Sequence, residues 1–468
     1  MNLRNKLISI FVLSKLYKMK IILTLFLAAT VSICNAQNVI LYGKITNPKS
    51  DSIIISGENL KKSIVIYLSK DGSFTDTMNL DRDYYRISHG DEFTDAFLKP
   101  GDNLYFTLDT RMFDESVKYK GVGENENNYL AQKILLSEKL ELLDNMALIG
   151  GYDEKKFLES VDSAATLKNE LLKGFVLEKE FAAAEKKDIE FAQLDNIASY
   201  EMYHRYIKHN EDFKVSESYP DAFKNFNFND ESSVKNELYL KLLSDFFSKQ
   251  AYKQIREDST RNFLMEFSNA VLERVQSTIV RNGLGRLIVE DGLKSGNDLK
   301  VSYAAIKKLI SDKDVQASLD EKFAMLSKLQ KGNTSPDFSL QDIKGKTFSL
   351  SDFKGKVVYI DVWATWCGPC KAEMPFMKKI QEDLKGKDVA FIGICAWDKQ
   401  ENWKKYIEEN KMQGTQLFAP DKALPFLKEY DIKGIPRFIL LDKEGKIVEA
   451  DAARPSDHQL KAKIESLL

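Results

Sequence analysis

The stretch from Val357 to Cys370 constrains the fold of this chain more than any other. Val357-Val358-Tyr359-Ile360-Asp361-Val362 is a continuous apolar run broken by one acid, the pattern of a strand buried on both faces. Trp363-Ala364-Thr365-Trp366-Cys367-Gly368-Pro369-Cys370 follows directly and leads into a helical stretch to about Leu384. The two cysteines therefore fall at a strand-to-helix junction. Unpaired backbone N–H groups and the positive end of the helix dipole favour a thiolate there. The two-residue spacing lets one helical turn bring both sulfurs within bonding distance. Half a zinc site is the competing reading of such a pair. The only other cysteines are Cys34 and Cys395, and the four histidines, His89, His204, His209 and His458, form no second half of such a site. From a linker at Lys331-Gly332-Asn333-Thr334-Ser335-Pro336 to Leu468, strands and helices alternate as in an α/β fold.

The segment Asp361 to Pro375 resembles the active site of thioredoxins. Trp366 abuts the first cysteine, Pro375 lies five residues after the second, and Gly434-Ile435-Pro436 precedes the run Arg437–Leu441 as the family's cis-proline loop does. Cys370-Lys371-Ala372-Glu373-Met374-Pro375 narrows the resemblance to the exported TlpA/ResA-like branch. That branch often serves cytochrome c maturation or general periplasmic thiol reduction. The likeness spans about 135 residues, from Ser335 to the end.

The resemblance implies a thiol–disulfide oxidoreductase working as a reductase of protein disulfides. Cys367 would be the more exposed, attacking cysteine and Cys370 the resolving one. Asp361 would be a buried acid of raised pKa that takes the Cys370 proton through a water. Trp366, Gly368, Pro369, Ile435 and Pro436 would face the substrate. A cis Pro436 would leave the Ile435 backbone free to pair with a substrate strand. No cofactor is expected beyond the redox-active Cys367–Cys370 disulfide, and no metal. The expected partners are protein thiols and disulfides, together with a membrane protein that donates electrons. Arg437 stands where the family commonly has a small Thr, so a bulky cation beside the docking loop should alter substrate choice. Glu373 reads as a first-turn residue favoured by the helix dipole, with proton transfer as its other reading. Cys395, in the apolar run Val389–Cys395, reads as an inert core cysteine.

A chain of 468 residues needs more than one core. Residues 37–120 read as an antiparallel β-sandwich, with strands at Val39–Ile45, Ser52–Ser56, Ser63–Leu68, Tyr84–Ser88 and Asn103–Leu108. The turns Asp71-Gly72-Ser73-Phe74 and Pro100-Gly101-Asp102 resemble those of the sandwich domain that precedes the thioredoxin domain in many exported Bacteroidota-type proteins. Residues 121–331 read as helical. Pro220 is the only proline there, and two stripes step by three and four: Leu136, Leu140, Leu143, Ala147 and Leu264, Phe267, Val271, Val275. Tyr203, His204, Tyr206 and His209 cluster, but read as helix surface. Residues 332–468 complete the order as the thioredoxin-like domain, making a multidomain protein of sandwich, helices and α/β fold.

The N-terminal residues 1–36 read as an export signal. Lys20 precedes a 13-residue apolar run, Ile21 to Ile33, and small residues flank a cut before Gln37, with translation starting at Met19. An uncleaved anchor is one alternative. Lipidation of Cys34 is another, and only then would the chain be membrane-anchored. The periplasm or cell envelope is the expected location. With a net charge of −2 and no long basic run, nothing points to a nucleic-acid partner. Two other functions compete. A thiol peroxidase would fit Pro336–Leu340 and Ser349–Lys356, although the pattern Pro-x-x-x-Thr-x-x-Cys is missing. An envelope binding module with a regulatory redox domain is the second.

Overall fold

The computed structural model describes residues 38–57, 59–60, 62–296, 298–420 and 425–468. The expected signal segment and Cys34 lie outside the described residues. The chain divides into two compact units that meet at Phe226 and Asn227. The helices expected as one region are therefore shared between the two.

The first unit opens with eight strands: β1 (Val39–Thr46), β2 (Ser52–Ser56), β3 (Ile64–Tyr67), β4 (Ser73–Met78), β5 (Asp83–His89), β6 (Glu92–Leu98), β7 (Asn103–Asp109) and β8 (Lys118–Val122). They form two four-stranded sheets, ordered β4-β1-β7-β8 and β3-β2-β5-β6. Alternate residues such as Val39, Leu41, Ile53, Ile55, Leu104 and Phe106 point into one shared core. Pairing is antiparallel except between β1 and β7, which run parallel. Three strands, β4, β6 and β8, were not expected from the sequence. They carry Ser, Thr, Asp, Lys and Gly, and take their form from the strands beside them.

Three long helices follow: α1 (Glu124–Lys139), α2 (Glu154–Lys173) and α3 (Lys179–Lys208). Helix α1 closes one edge of each sheet with two consecutive asparagines. Asn127 accepts from Phe97 N and donates to Phe97 O on β6, both at 2.9 Å. Asn128 does the same to Tyr119 on β8, at 2.9 and 2.8 Å. Edge strands left open are templates for aggregation, and here side-chain amides occupy them. The stripe Leu136 to Ala147 does not lie on one helix. Helix α1 ends at Lys139, and short turns Glu141–Asp144 and Met146–Ile149 follow, the second capped by Asn145. His204 packs on Phe213 and Tyr200 and meets Gly150 O at 3.0 Å, while Tyr206 is exposed. This agrees with helix surface rather than a site.

The second unit starts with α4 (Glu237–Glu257), α5 (Phe263–Arg274), α6 (Thr278–Leu287), a π-turn at Ile288–Gly292, α7 (Leu299–Leu309) and α8 (Lys313–Lys328). Asn236, Asn262, Ser277 and Asp312 each precede one of these helices and accept its free N3 amide. Leu264, Phe267, Val271 and Val275 are all buried, as their spacing implied. The stretch after α8 is no loose linker. Gly332 N donates to Ile447 O, and Ile447 N to Asn333 O, both at 2.8 Å.

The rest is a seven-stranded mixed sheet with flanking helices. In chain order it comprises β9 (Leu340–Asp342), β10 (Thr347–Phe348), β11 (Val357–Trp363), α9 (Gly368–Asp383), β12 (Val389–Ala396), α10 (Gln400–Asn410), β13 (Thr415–Ala419), α11 (Pro425–Glu429), β14 (Arg437–Leu441), β15 (Ile447–Glu449) and α12 (Leu460–Glu465). The strand order is β10-β9-β13-β12-β11-β14-β15. All seven residues of β11 are buried, as a strand between two covered faces must be.

Candidate functional site

The two cysteines stand where β11 gives way to α9. Cys367 is the helix N-cap, and its sulfur accepts from Cys370 N at 3.1 Å. Pro369 suits the first turn because an amide there would have no helical partner. Cys367 and Cys370 form a disulfide with their Cα atoms 5.3 Å apart. One turn of helix thus supplies the bond, its geometry, and a dipole that favours negative charge on Cys367 after reduction. Cys367 is the more exposed cysteine only narrowly, at 3% against 1%.

Trp366 beside it is 60% exposed, and its indole Nε1 donates to Trp397 O at 2.8 Å. Trp397 sits at φ +60°, a left-handed conformation that costs a bulky residue energy. Asp398 holds the same bend. It accepts from Thr365 N at 2.6 Å and from Lys399 N at 2.7 Å. Burial works against its charge, yet these bonds from Thr365 and Lys399 keep its carboxyl below the usual range. The sequence offered no signal for Trp397 or Asp398, which lie 31 and 33 residues from their partners Trp366 and Thr365.

Asp361 is buried in the middle of β11. Its partners in register are Gly393 on β12 and Phe438 on β14, and Gly393 is in turn opposite Gln416 on β13. Asp361, Gly393 and Gln416 thus form one row across three strands, with a glycine at its centre. The Gln416 carboxamide fills the space that a Cβ on Gly393 would take. A cavity of about 370 Å³ beside this row is lined by Asp361, Gly393 and Gln416 together with Met374, Met412 and Tyr406. Asp361 Oδ1 and Gln416 Oε1 have no hydrogen-bond partner among the described residues. Burial, and then the charge of Glu373, push the Asp361 carboxyl up to about 7.

Glu373 was expected in the first turn of the helix but is the sixth residue of α9, whose first turn carries no acid. It is buried, and its carboxylate accepts from Ser456 N at 2.9 Å and Ser456 Oγ at 3.0 Å. The partner is 83 residues away, which local helix rules cannot reveal. Arg437, directly after Pro436, is anchored. Its guanidinium donates to Ala450 O at 3.1 and 2.9 Å and pairs with Asp451 at 3.4 Å. The cation is tied to the segment after β15 and does not stand free beside the loop. Cys395 is buried and unbonded to another cysteine. Burial, the nearby charge of Asp398 and a hydrogen bond to it raise its thiol pKa, as an inert core cysteine requires.

The peptide Ile435–Pro436 is cis. Ile435 packs on the apolar cluster that contains Cys367, Cys370, Trp363 and Trp403. The structure therefore gathers Asp361, Trp366, Cys367, Gly368, Pro369 and Cys370 on one strand–helix junction, with Ile435 against the same cluster. Among the described residues, no group of three or more His, Cys, Asp or Glu could hold a metal ion.

Sheet, cysteine pair, buried acid and proline loop define a thioredoxin-fold thiol–disulfide oxidoreductase. The family model described as Redoxin matches residues 330–468. The thiol-disulfide oxidoreductase ResA of Bacillus cereus is 32% identical over 145 residues, covering 31% of this chain and 83% of that protein. ResA of Bacillus subtilis is 30% identical over 127 residues, 27% of this chain and 70% of that one. The crystal structure of the thioredoxin domain of a thiol-disulfide oxidoreductase from Bacteroides vulgatus matches at 37% identity. It covers 30% of this chain and 97% of that one, with a TM-score of 0.28. Through this C-terminal segment the chain belongs to the TlpA/ResA-like family of thiol–disulfide oxidoreductases.

Proposed function

We propose that this oxidoreductase reduces disulfides of other proteins in the cell envelope. The observation that carries the reading is the Cys367–Cys370 disulfide at a helix start, with a buried acid raised to about 7 on the strand that leads into it. Once a donor has delivered two electrons and two protons, Cys367 is the better thiolate. It attacks one sulfur of a client disulfide, forming a mixed disulfide and releasing one client thiolate. Asp361 then takes the Cys370 proton through a water. The Cys370 thiolate attacks Cys367, the second client thiolate leaves, and the protein disulfide is restored. Trp366, Gly368 and Pro369 form the surface around the attack, and the Ile435 backbone before cis Pro436 pairs with the client strand.

The Gly-Pro dipeptide between the cysteines is that of thioredoxin, at the reducing end of the scale. A reductase in an oxidising compartment needs a donor, here a membrane protein passing electrons outward. Among the described residues no helix is long and apolar enough to cross a membrane. Export and location rest on the N-terminal sequence, with cytochrome c maturation as one setting. No cofactor beyond the cysteine pair is needed.

A Cys370→Ala variant tests this. It should freeze mixed disulfides on Cys367, to be identified by mass spectrometry of envelope proteins. If no protein accumulates on Cys367, the protein-disulfide assignment fails. A reduction potential near about −120 mV, that of a strong periplasmic oxidant, would reverse the electron direction.

A further inference from the structure

The loop from Asp431 to Pro436 enters the site from α11, and the helices of the second unit hold it. Lys322 on α8 is 9% exposed. Its ammonium is paired with the Asp431 carboxylate and lies 3.5 Å from Glu290 O in the π-turn. Lys433 donates to the same Glu290 carbonyl at 2.6 Å. Between them, Ile432 is 6% exposed, and its N–H donates to Leu427 O at 2.8 Å. Asp431 stands at φ +51°, so its pairing also holds a left-handed residue in place. Three consecutive loop residues are thus anchored. Gly434, with open space where a Cβ would stand, separates them from Ile435.

The sequence distances are 109 residues for Lys322–Asp431 and 143 for Lys433–Glu290. A buried ion pair contributes little net stability, because desolvation offsets most of its attraction. What it supplies is direction, since only one placement of the loop satisfies both charges. π-turns inside helical segments recur at functional positions, and this one presents the carbonyl that both lysines share.

We propose that α8 and the π-turn form a clamp on the cis-proline loop, with Lys322 as a positioning residue that sets affinity for protein clients. This rests on the reading that the Ile435 backbone docks the client strand. Lys322 acts through Asp431, so it bears on strand docking and leaves the sulfur chemistry alone.

The test uses the full chain, reduced beforehand and freed of reductant, in single-turnover reactions with excess of either of two disulfides; each protein dithiol supplies the two electrons itself, and the half-saturating concentration and limiting rate are read as KM and kcat. One is a peptide disulfide long enough to pair as a strand. The other is 5,5′-dithiobis(2-nitrobenzoate), a small disulfide that needs no strand pairing. Lys322→Met should raise KM for the peptide about fivefold, at unchanged kcat and unchanged rate with the small disulfide. Lys322→Arg should restore the peptide KM. If Lys322→Met does not fold, Lys433→Met on the exposed side of the clamp should produce the same split. Equal loss on both substrates, or no change on either, overturns the clamp. Pro436→Ala separates the two ideas. If it leaves the peptide KM unchanged, the docking reading fails; if it raises KM while both lysine variants do not, only the clamp fails.

Discussion

Replacing Asp361 by Asn should make this protein more stable at alkaline pH and hardly alter it in acid. In the unfolded chain the carboxyl ionises near its ordinary value of 3.8, while in the fold burial and the charge of Glu373 delay ionisation to about 7. Between those values the unfolded state holds one proton fewer than the folded state. Stability from this group is therefore whole below 3.8 and is lost as the pH rises through about 7. A gap of about three pH units, at 1.36 kcal/mol each, is about 4 kcal/mol. Asparagine cannot ionise, so the variant escapes that loss. The gain from Asp361→Asn at pH 8 should exceed its effect below pH 4 by about 4 kcal/mol. Denaturant unfolding of the oxidised protein, followed by tryptophan fluorescence, measures it directly. Trp363, Trp366, Trp397 and Trp403 are the only tryptophans and all lie around this site, so the signal reports this fold. A stability difference between variant and parent that stays constant from pH 4 to 8 would refute the reasoning. Asp361 would then ionise in the fold as it does in water.

Two further outcomes follow from the same physics. Glu373→Gln removes the second contribution to the raised Asp361 pKa, so the pH at which stability falls should move down, read from the same unfolding series. Gly43→Ala on β1 should destabilise the first unit by about 3 kcal/mol or more, because its Cβ would enter the backbone carbonyl of Phe106 on the parallel neighbour β7. Loss of the far-UV β signal at lower denaturant, with the tryptophan transition unmoved, would be the readout. An unchanged transition would contradict the pairing.

The local elements around the cysteines were legible in the sequence because local forces fix them. An apolar run becomes a buried strand, and a cysteine followed by Gly-Pro caps a helix. The C-terminal strands at Val357, Val389 and Arg437 and the stripe from Leu264 to Val275 were equally plain. Strands such as β4 and β8 were not, since polar residues become strands only when neighbours offer a ladder. The same holds for the helix near Leu140, where apolar spacing continued past Asn145 but the backbone did not.

For the site, sequence alone named the cysteine pair, the acid, the tryptophan and the proline loop, all carried by short motifs. Only the tertiary fold decided what surrounds them. Ser456 ties down Glu373, Asp398 and Trp397 hold the Thr365–Trp366 turn, and Gly393 stands opposite Asp361. The same fold sets Lys322 on Asp431. Each of these pairs spans 31 to 109 residues, and no periodicity or capping rule reaches that far. The sequence determined the chemistry, because the reacting groups share one strand–helix turn. Packing decided the pKa of the acid and the hold on the loop, because burial and pairing exist only once distant segments meet.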